Sequence, residues 1–213
     1  MQVGFPRLEY LGIHNLHKLT TIWHTQLGSD SFCKLTEIEV KSCSSLIHIL
    51  VPGILKRLHS LKELFVEDCK SVEVVFKVGD SDQSEIFIFR NLIKVVILNC
   101  QSLKYVFPAP VARLLEKLEY FEIRNCEILE QIVAEEEVGL PPDFMFPRVT
   151  SLCLVLLPQL RSFYPGKHTS TWPSLKILAD EDSRFQQHHE EEDTKRPFFL
   201  FQKVRLLVLF LFV

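Results

Sequence analysis

Apolar residues recur along the chain in one short phrase, L-x-x-L-x-L, with aliphatic or aromatic stand-ins. It reads Leu8-Glu-Tyr-Leu11-Gly-Ile13, Leu35-Thr-Glu-Ile38-Glu-Val40, Leu61-Lys-Glu-Leu64-Phe-Val66 and Leu92-Ile-Lys-Val95-Val-Ile97. Four more copies follow: Leu118-Glu-Tyr-Phe121-Glu-Ile123, Val149-Thr-Ser-Leu152-Cys-Leu154, Leu175-Lys-Ile-Leu178-Ala-Asp180 and Val204-Arg-Leu-Leu207-Val-Leu209. Their first positions lie 27, 26, 31, 26, 31, 26 and 29 residues apart. The last two apolar residues of each phrase alternate with period two, so they share one face of a short strand.

The pattern continues past the phrase. Eight residues after its start stand Cys43, Cys69, Cys100 and Cys126. Eleven after it stand Leu19, Leu46, Val72, Leu103, Leu129 and Leu160, and fourteen after it Ile22, Ile49, Val75, Val106, Ile132 and Phe163. One such coil cannot bury its apolar face alone, so neighbouring coils must stack. This predicts an α/β leucine-rich-repeat solenoid, a horseshoe with a concave parallel sheet and a convex side of turns and short helices. Residues 1–213 form a single array of about eight repeats in this reading, starting near 5, 32, 58, 89, 115, 146, 172 and 201. Ile54–Leu58 and Val111–Leu115, which follow Pro52 and Pro110, have helical spacing and a residue type suited to a helix start. Most other returns are too short for more than a turn.

The irregularities are informative too. Insertions at 77–88, 134–144 and 180–197 are expected to be solvated surface loops. Repeats one and six carry Leu16 and Leu157 where the others carry Cys, an alternative form of the turn. In repeat seven Asp180 replaces a core aliphatic, and an unpaired buried carboxylate costs several kcal/mol, so that coil is expected to be open or distorted. The last repeat reads as truncated.

Composition narrows the function classes. The chain is 47% hydrophobic and 24% charged, which fits a folded protein. Its net charge of −3 is spread through mixed signs, so nucleic acid is not an expected partner. Only 7 glycines are present, few for an antiparallel protein with many tight hairpins. The start lacks a basic, apolar leader, and residues 198–213 are too short and too charged to span a bilayer, so a cytoplasmic location is expected. Four of the six cysteines occupy the turn position and read as buried free thiols tying the turn to the next coil's backbone. No metal site is expected: the run His188-His189-Glu-Glu-Glu-Asp193 reads as a solvated charge run, since neighbours in a loop rarely hold ligand geometry. No nucleophile elbow or phosphate loop is present, so neither catalysis nor a cofactor is expected.

Several phrases are more specific than the repeat. Phe146-Pro-Arg-Val-Thr-Ser-Leu152, Leu160-Arg-Ser-Phe-Tyr-Pro-Gly-Lys-His-Thr169, Trp172-Pro-Ser-Leu-Lys176 and Cys126-Glu-Ile-Leu-Glu-Gln-Ile-Val133 resemble the leucine-rich-repeat regions of plant intracellular disease-resistance receptors of the coiled-coil, nucleotide-binding class. The resemblance spans nearly the whole chain but not the nucleotide-binding module, so the chain reads as a fragment or a degenerate gene product. It implies a recognition and regulatory domain in defence, whose partner is a pathogen effector, a guarded host protein or the receptor's own nucleotide-binding module. Strand alternation turns a set of residues outward on the concave side: Glu37, Glu39, Lys41, Lys62, Glu63, Phe65, Glu67, Asp68, Glu119, Tyr120, Glu122 and Arg124. Val96, Leu98, Cys153 and Val155 are expected to add an exposed apolar patch there. The competing reading is the substrate arm of a ubiquitin-ligase adaptor, which calls for an F-box-like helical segment before the repeats.

Overall fold

The computed structural model describes residues 4–23, 28, 30–77, 89–135 and 142–179. Each of the first seven phrases carries a strand: β1 (Tyr10–His14), β2 (Glu37–Lys41), β4 (Glu63–Glu67), β6 (Lys94–Leu98), β8 (Tyr120–Arg124), β11 (Ser151–Val155) and β13 (Ile177–Ala179). They form one seven-stranded sheet in the order β1-β2-β4-β6-β8-β11-β13. Every neighbouring pair is parallel, and equivalent positions of the phrase pair with each other, as in Tyr10↔Glu37↔Glu63↔Lys94↔Tyr120↔Ser151↔Ile177. The protein is a parallel β-solenoid of stacked coils with little helix. The eighth phrase, Asp180, the 180–197 insertion, the histidine–acid run and residues 198–213 lie outside the described residues, as do 78–88 and 136–141 of the other insertions.

The core follows the phrase. Leu35, Ile38, Val40, Leu46 and Ile49 of the second coil are fully buried, and so are Leu92, Val95, Ile97, Leu103 and Val106 of the fourth. Burying a Leu, Ile or Val side chain is worth about 1.5–3 kcal/mol, and stacking repeats that gain in every coil. A further register had escaped the sequence reading. The residue after each downstream apolar position (Trp23, Leu50, Phe76, Phe107, Val133, Tyr164) is also buried, and Phe89, Phe76, Phe107 and Phe121 form a chain of rings at centroid separations of 4.9, 5.2 and 5.3 Å.

The turn after each strand is made by one residue in the left-handed region: Asn15, Ser42, Asp68, Asn99, Asn125 and Leu156, with φ between 52° and 59°. In the first five of these turns its N–H bonds to the next coil, as from Asn99 to the Arg124 carbonyl at 3.0 Å, which extends the ladder while the chain turns away. The cysteine comes next. Its tie runs opposite to the expected direction: Cys43 Sγ donates to Lys41 in its own coil (3.4 Å) and to Ile13 of the preceding coil (3.7 Å), and Cys69 likewise reaches Glu67 and Val40. The thiol points back because the left-handed residue has just reversed the chain. All six cysteines are free thiols.

The returns differ from expectation in three places. Segments expected to be plain turns pair into a second row of short strands, β3 (His48–Leu50) with β5 (Val74–Phe76) and β7 (Phe107–Pro108) with β9 (Val133–Ala134), joined by bridges Val74↔Tyr105 and Gln131↔Ser162. Stacked coils place equivalent backbone groups side by side, and these pair wherever the returns run extended. Helix among the described residues comes as short pieces: a 3-10 segment at Pro52–Arg57, broken by Gly53 at φ 59°, a 3-10 turn at 89–91, and one turn, α1, at Ala109–Ala112. Part of the 134–144 insertion is not a solvated loop: β10 (Asp143–Met145) pairs in parallel with β12 (Thr169–Thr171) and buries Phe144 against Phe163 and Tyr164.

Candidate recognition surface

The outward side chains of the seven-stranded sheet stand in three rows fixed by its register. One runs Tyr10, Glu37, Glu63, Lys94, Tyr120, Ser151, Ile177, and the middle one Gly12, Glu39, Phe65, Val96, Glu122, Cys153, Ala179. The third runs His14, Lys41, Glu67, Leu98, Arg124, Val155. Neighbouring strands are about 4.8 Å apart, so each row brings its side chains into contact range.

Two polar clusters occupy this face. In the first, Glu39 accepts hydrogen bonds from Lys41 and from the Tyr10 hydroxyl, and His14 Nε2 lies 3.5 Å from it. Lys41 Nζ also reaches Glu67 at 3.7 Å and lies 4.7 Å from the centre of the Phe65 ring. The hydrogen bond from Lys41, then that from Tyr10, holds the Glu39 carboxyl below the usual range, and Glu39 in turn raises Lys41. In the second cluster Glu122 accepts from both the Tyr120 hydroxyl and Arg124 Nε. Burial, then the hydrogen bond to Glu122, pushes Tyr120 up to about 12, and Lys94 Nζ lies 5.6 Å from its ring centre. These pairs are solvent-screened, so they add little to stability; their larger effect is to order the side chains.

The expected exposed apolar patch is corrected. Val96, Cys153 and Val155 point to the face but are only 3%, 4% and 2% exposed. Val96 sits in register between Phe65 and Glu122, Cys153 beside Glu122, and Val155 beside Arg124, and these longer neighbours rise above short side chains. Leu98 remains partly exposed between Glu67 and Arg124.

Glu37, Glu39, Lys41, Phe65, Glu67, Tyr120, Glu122 and Arg124 are partly exposed on the face, Glu63 is exposed there, and Lys62 and Glu119 are exposed just before β4 and β8. Asp68 is taken up by the turn instead. Its Oδ1 accepts from Asn99 Nδ2 at 2.8 Å, and Asn99 Oδ1 accepts from Asn125 Nδ2 at 2.8 Å, a side-chain ladder across three coils. Tyr10, His14 and Lys94 belong to the same surface and were missed. The alternation that selected Glu37 and Lys41 was available to find them.

Burial drives the thiols of Cys69 and Cys126 up to about 11 and that of Cys100 well above the usual range. Such thiols serve as packing groups and weak donors, the opposite of a nucleophile's requirement. No group of three or more His, Cys, Asp or Glu side chains among the described residues is arranged to hold a metal ion, and no helix there is long and apolar enough to cross a membrane.

Stacked coils with an L-x-x-L-x-L strand, a left-handed turn and a buried Cys define a leucine-rich-repeat solenoid. The family model for plant disease resistance protein RPS2-like leucine-rich repeats matches residues 7–86 and 77–127, more than half of the chain. The protein belongs to that family. No curated protein and no solved structure matches it.

Proposed function

We propose that this chain is the recognition and regulatory domain of a plant immune receptor, acting in the cytoplasm through protein binding and without catalysis. The outward rows of the sheet then line the concave side of a horseshoe and meet a pathogen effector, a guarded host protein or the receptor's nucleotide-binding module. One observation carries the reading: partly exposed charged and aromatic side chains from successive coils stand in fixed rows, pre-ordered by their own ion pairs and hydrogen bonds. Preordered side chains lose less entropy on binding, and aromatic groups beside cations are common anchors of protein interfaces. Membership of a disease-resistance repeat family supports the same reading.

The test pairs the chain with a nucleotide-binding module from a receptor of this family in a co-purification assay. Combined reversal at Glu37, Glu63 and Glu119 to Lys is expected to abolish capture while the circular dichroism spectrum stays unchanged. The same reversal at Glu127 and Glu130, on the turn edge, is expected to leave capture intact. Capture that survives the first set removes this face from the interaction.

A further inference from the structure

The residues that lead into each strand carry a charge pattern that the balance of the whole chain conceals. In each coil they run from two places before the first apolar residue of the phrase to one place after it. Arg7, Lys34, Lys117 and Arg148 stand immediately before that residue, Arg90 one place earlier, and Lys62 and Lys176 immediately after it. Each of the seven described coils thus has one cation there, and all seven are exposed. Glu9, Glu116 and Glu119 are the carboxylates in these positions, so the strip is at +4 while the rest of the chain is at −7. At the other end of the strands, the left-handed residue and the three after it include Lys18 and Lys70 against Asp68 and Glu127, a balance of zero. The main chain holds the strip in line: Thr36, Lys62, Ile93, Glu119, Thr150 and Lys176 each donate an N–H to the equivalent position of the preceding coil at 2.7–2.9 Å. Among the described residues no ion pair engages Arg7, Lys34, Lys62, Lys117, Arg148 or Lys176, and Lys117 donates to Asn91 Oδ1 at 2.7 Å.

We propose that this strip docks an α-helix of another protein that bears one Asp or Glu per turn along a single face. Cations on coils about 4.8 Å apart lie inside the Debye length of about 8–10 Å, so their fields add and an anionic partner relieves their mutual repulsion. Spacing selects the helix. Its turn rises about 5.4 Å, so acids one turn apart drift from the coils by about 0.6 Å per step, and by under about 4 Å across all seven. Flexible Lys and Arg side chains absorb that drift. An extended acidic segment repeats each face every ~6.7 Å and falls more than about 10 Å out of step over the same length. Glu116 and Glu119 weigh against a polyanion of uniform charge: a helix can leave the turn above them neutral, but a phosphate backbone or an anionic lipid surface cannot. A lipid surface would also gain no apolar anchor, because the exposed large apolar side chains, Met145 and Ile177 among them, lie outside these positions. Apart from Lys62 and Glu119, the strip shares no residue with the recognition face described above, so docking here does not depend on what that face binds.

Fluorescence anisotropy on the full chain tests this with a labelled helical peptide of about 20 residues, long enough to span the strip, with one Glu per turn on one face. The expected result is binding that weakens steeply as salt is raised. An isomer with the same Glu residues spread around the helix is expected to bind at least about ten-fold more weakly, and so is the striped peptide to a Lys34→Glu, Lys117→Glu, Arg148→Glu variant. Lys18→Glu, Lys70→Glu and Arg161→Glu together change the net charge equally at the turn end of the coils, and are expected to leave binding within about two-fold. The comparison of peptides on the unaltered chain keeps the test independent of how the variants fold. No binding of the striped peptide overturns the proposal, as do equal binding of the two peptides and equal losses in the two variants. Tighter binding of a single-stranded RNA of matched length, or of phosphatidylserine vesicles, overturns it in favour of that partner.

Discussion

Replacing Phe107 by Ala probes the stacked core most directly. Its ring is 1% exposed and lies between Phe76 at 5.2 Å and Phe121 at 5.3 Å, so it links three successive coils. Removing a buried Phe side chain costs about 3–5 kcal/mol, from lost transfer energy and the cavity left behind. Two lost ring contacts place Phe107→Ala toward the upper end, since each aromatic pair adds about 0.5–1.5 kcal/mol beyond its area. Phe107→Leu keeps most of the apolar volume and is expected to cost about 1–1.5 kcal/mol. A domain of ordinary stability holds about 5–15 kcal/mol in total, so the Ala variant loses a large share of it. Urea titration followed by far-ultraviolet circular dichroism measures all three proteins. Phe5→Ala serves as control, because Phe5 is 42% exposed and its loss should cost under about 1 kcal/mol. A Phe107→Ala cost below about 2 kcal/mol, or equal costs for Ala and Leu, refutes the view that ring stacking couples the coils.

Two further outcomes are expected. Leu156 holds the left-handed turn position at φ 56°, where the other coils use Asn, Asp or Ser, and its side chain is 40% exposed. Leu156→Asn should therefore stabilise the protein by about 1 kcal/mol, seen as a rise of a few degrees in Tm, and a fall in Tm contradicts the strain argument. The Glu39–Lys41 pair sets a pH window. The depressed Glu39 carboxyl contributes stability above its ordinary value of 4.5 and loses it as pH falls through the lower folded value. The raised Lys41 contributes below its ordinary 10.5 and loses that contribution as pH rises through the higher folded value. Nuclear magnetic resonance titration of the Glu39 carboxyl should give a midpoint below 4.5 that moves up in Lys41→Met. A midpoint at or above 4.5 in the unaltered protein contradicts the pairing.

The repeat was legible because solenoid cores reuse the same apolar positions, and seven strands fall on the phrases beginning at Leu8, Leu35, Leu61, Leu92, Leu118, Val149 and Leu175. The second strand row was not legible. Two- and three-residue strands such as Phe107–Pro108 carry no periodicity of their own and form because neighbouring coils align their backbones. The outward side of each strand could be read from alternation, but exposure could not. Alternation says that Val96 points outward, whereas its burial depends on the lengths of Phe65 and Glu122 on other strands. Asp68 illustrates the converse: its place beside the strand made it a surface candidate, and only the positions of Asn99 and Asn125 in later coils reveal its bond in the turn.

The in-register pairing of equivalent positions has a consequence for how such a surface changes over time. The repeat lengths of 26 and 31 residues differ, yet Glu63 still meets Lys94 and Tyr120 still meets Ser151. Extra residues are absorbed away from the sheet, and the spacing between columns stays near 4.8 Å. Each outward residue can thus be exchanged as one element of a fixed grid, by point mutation, without moving the others. Specificity and foldability are written at alternating positions of the same strand, which leaves a lineage free to revise the first while conserving the second.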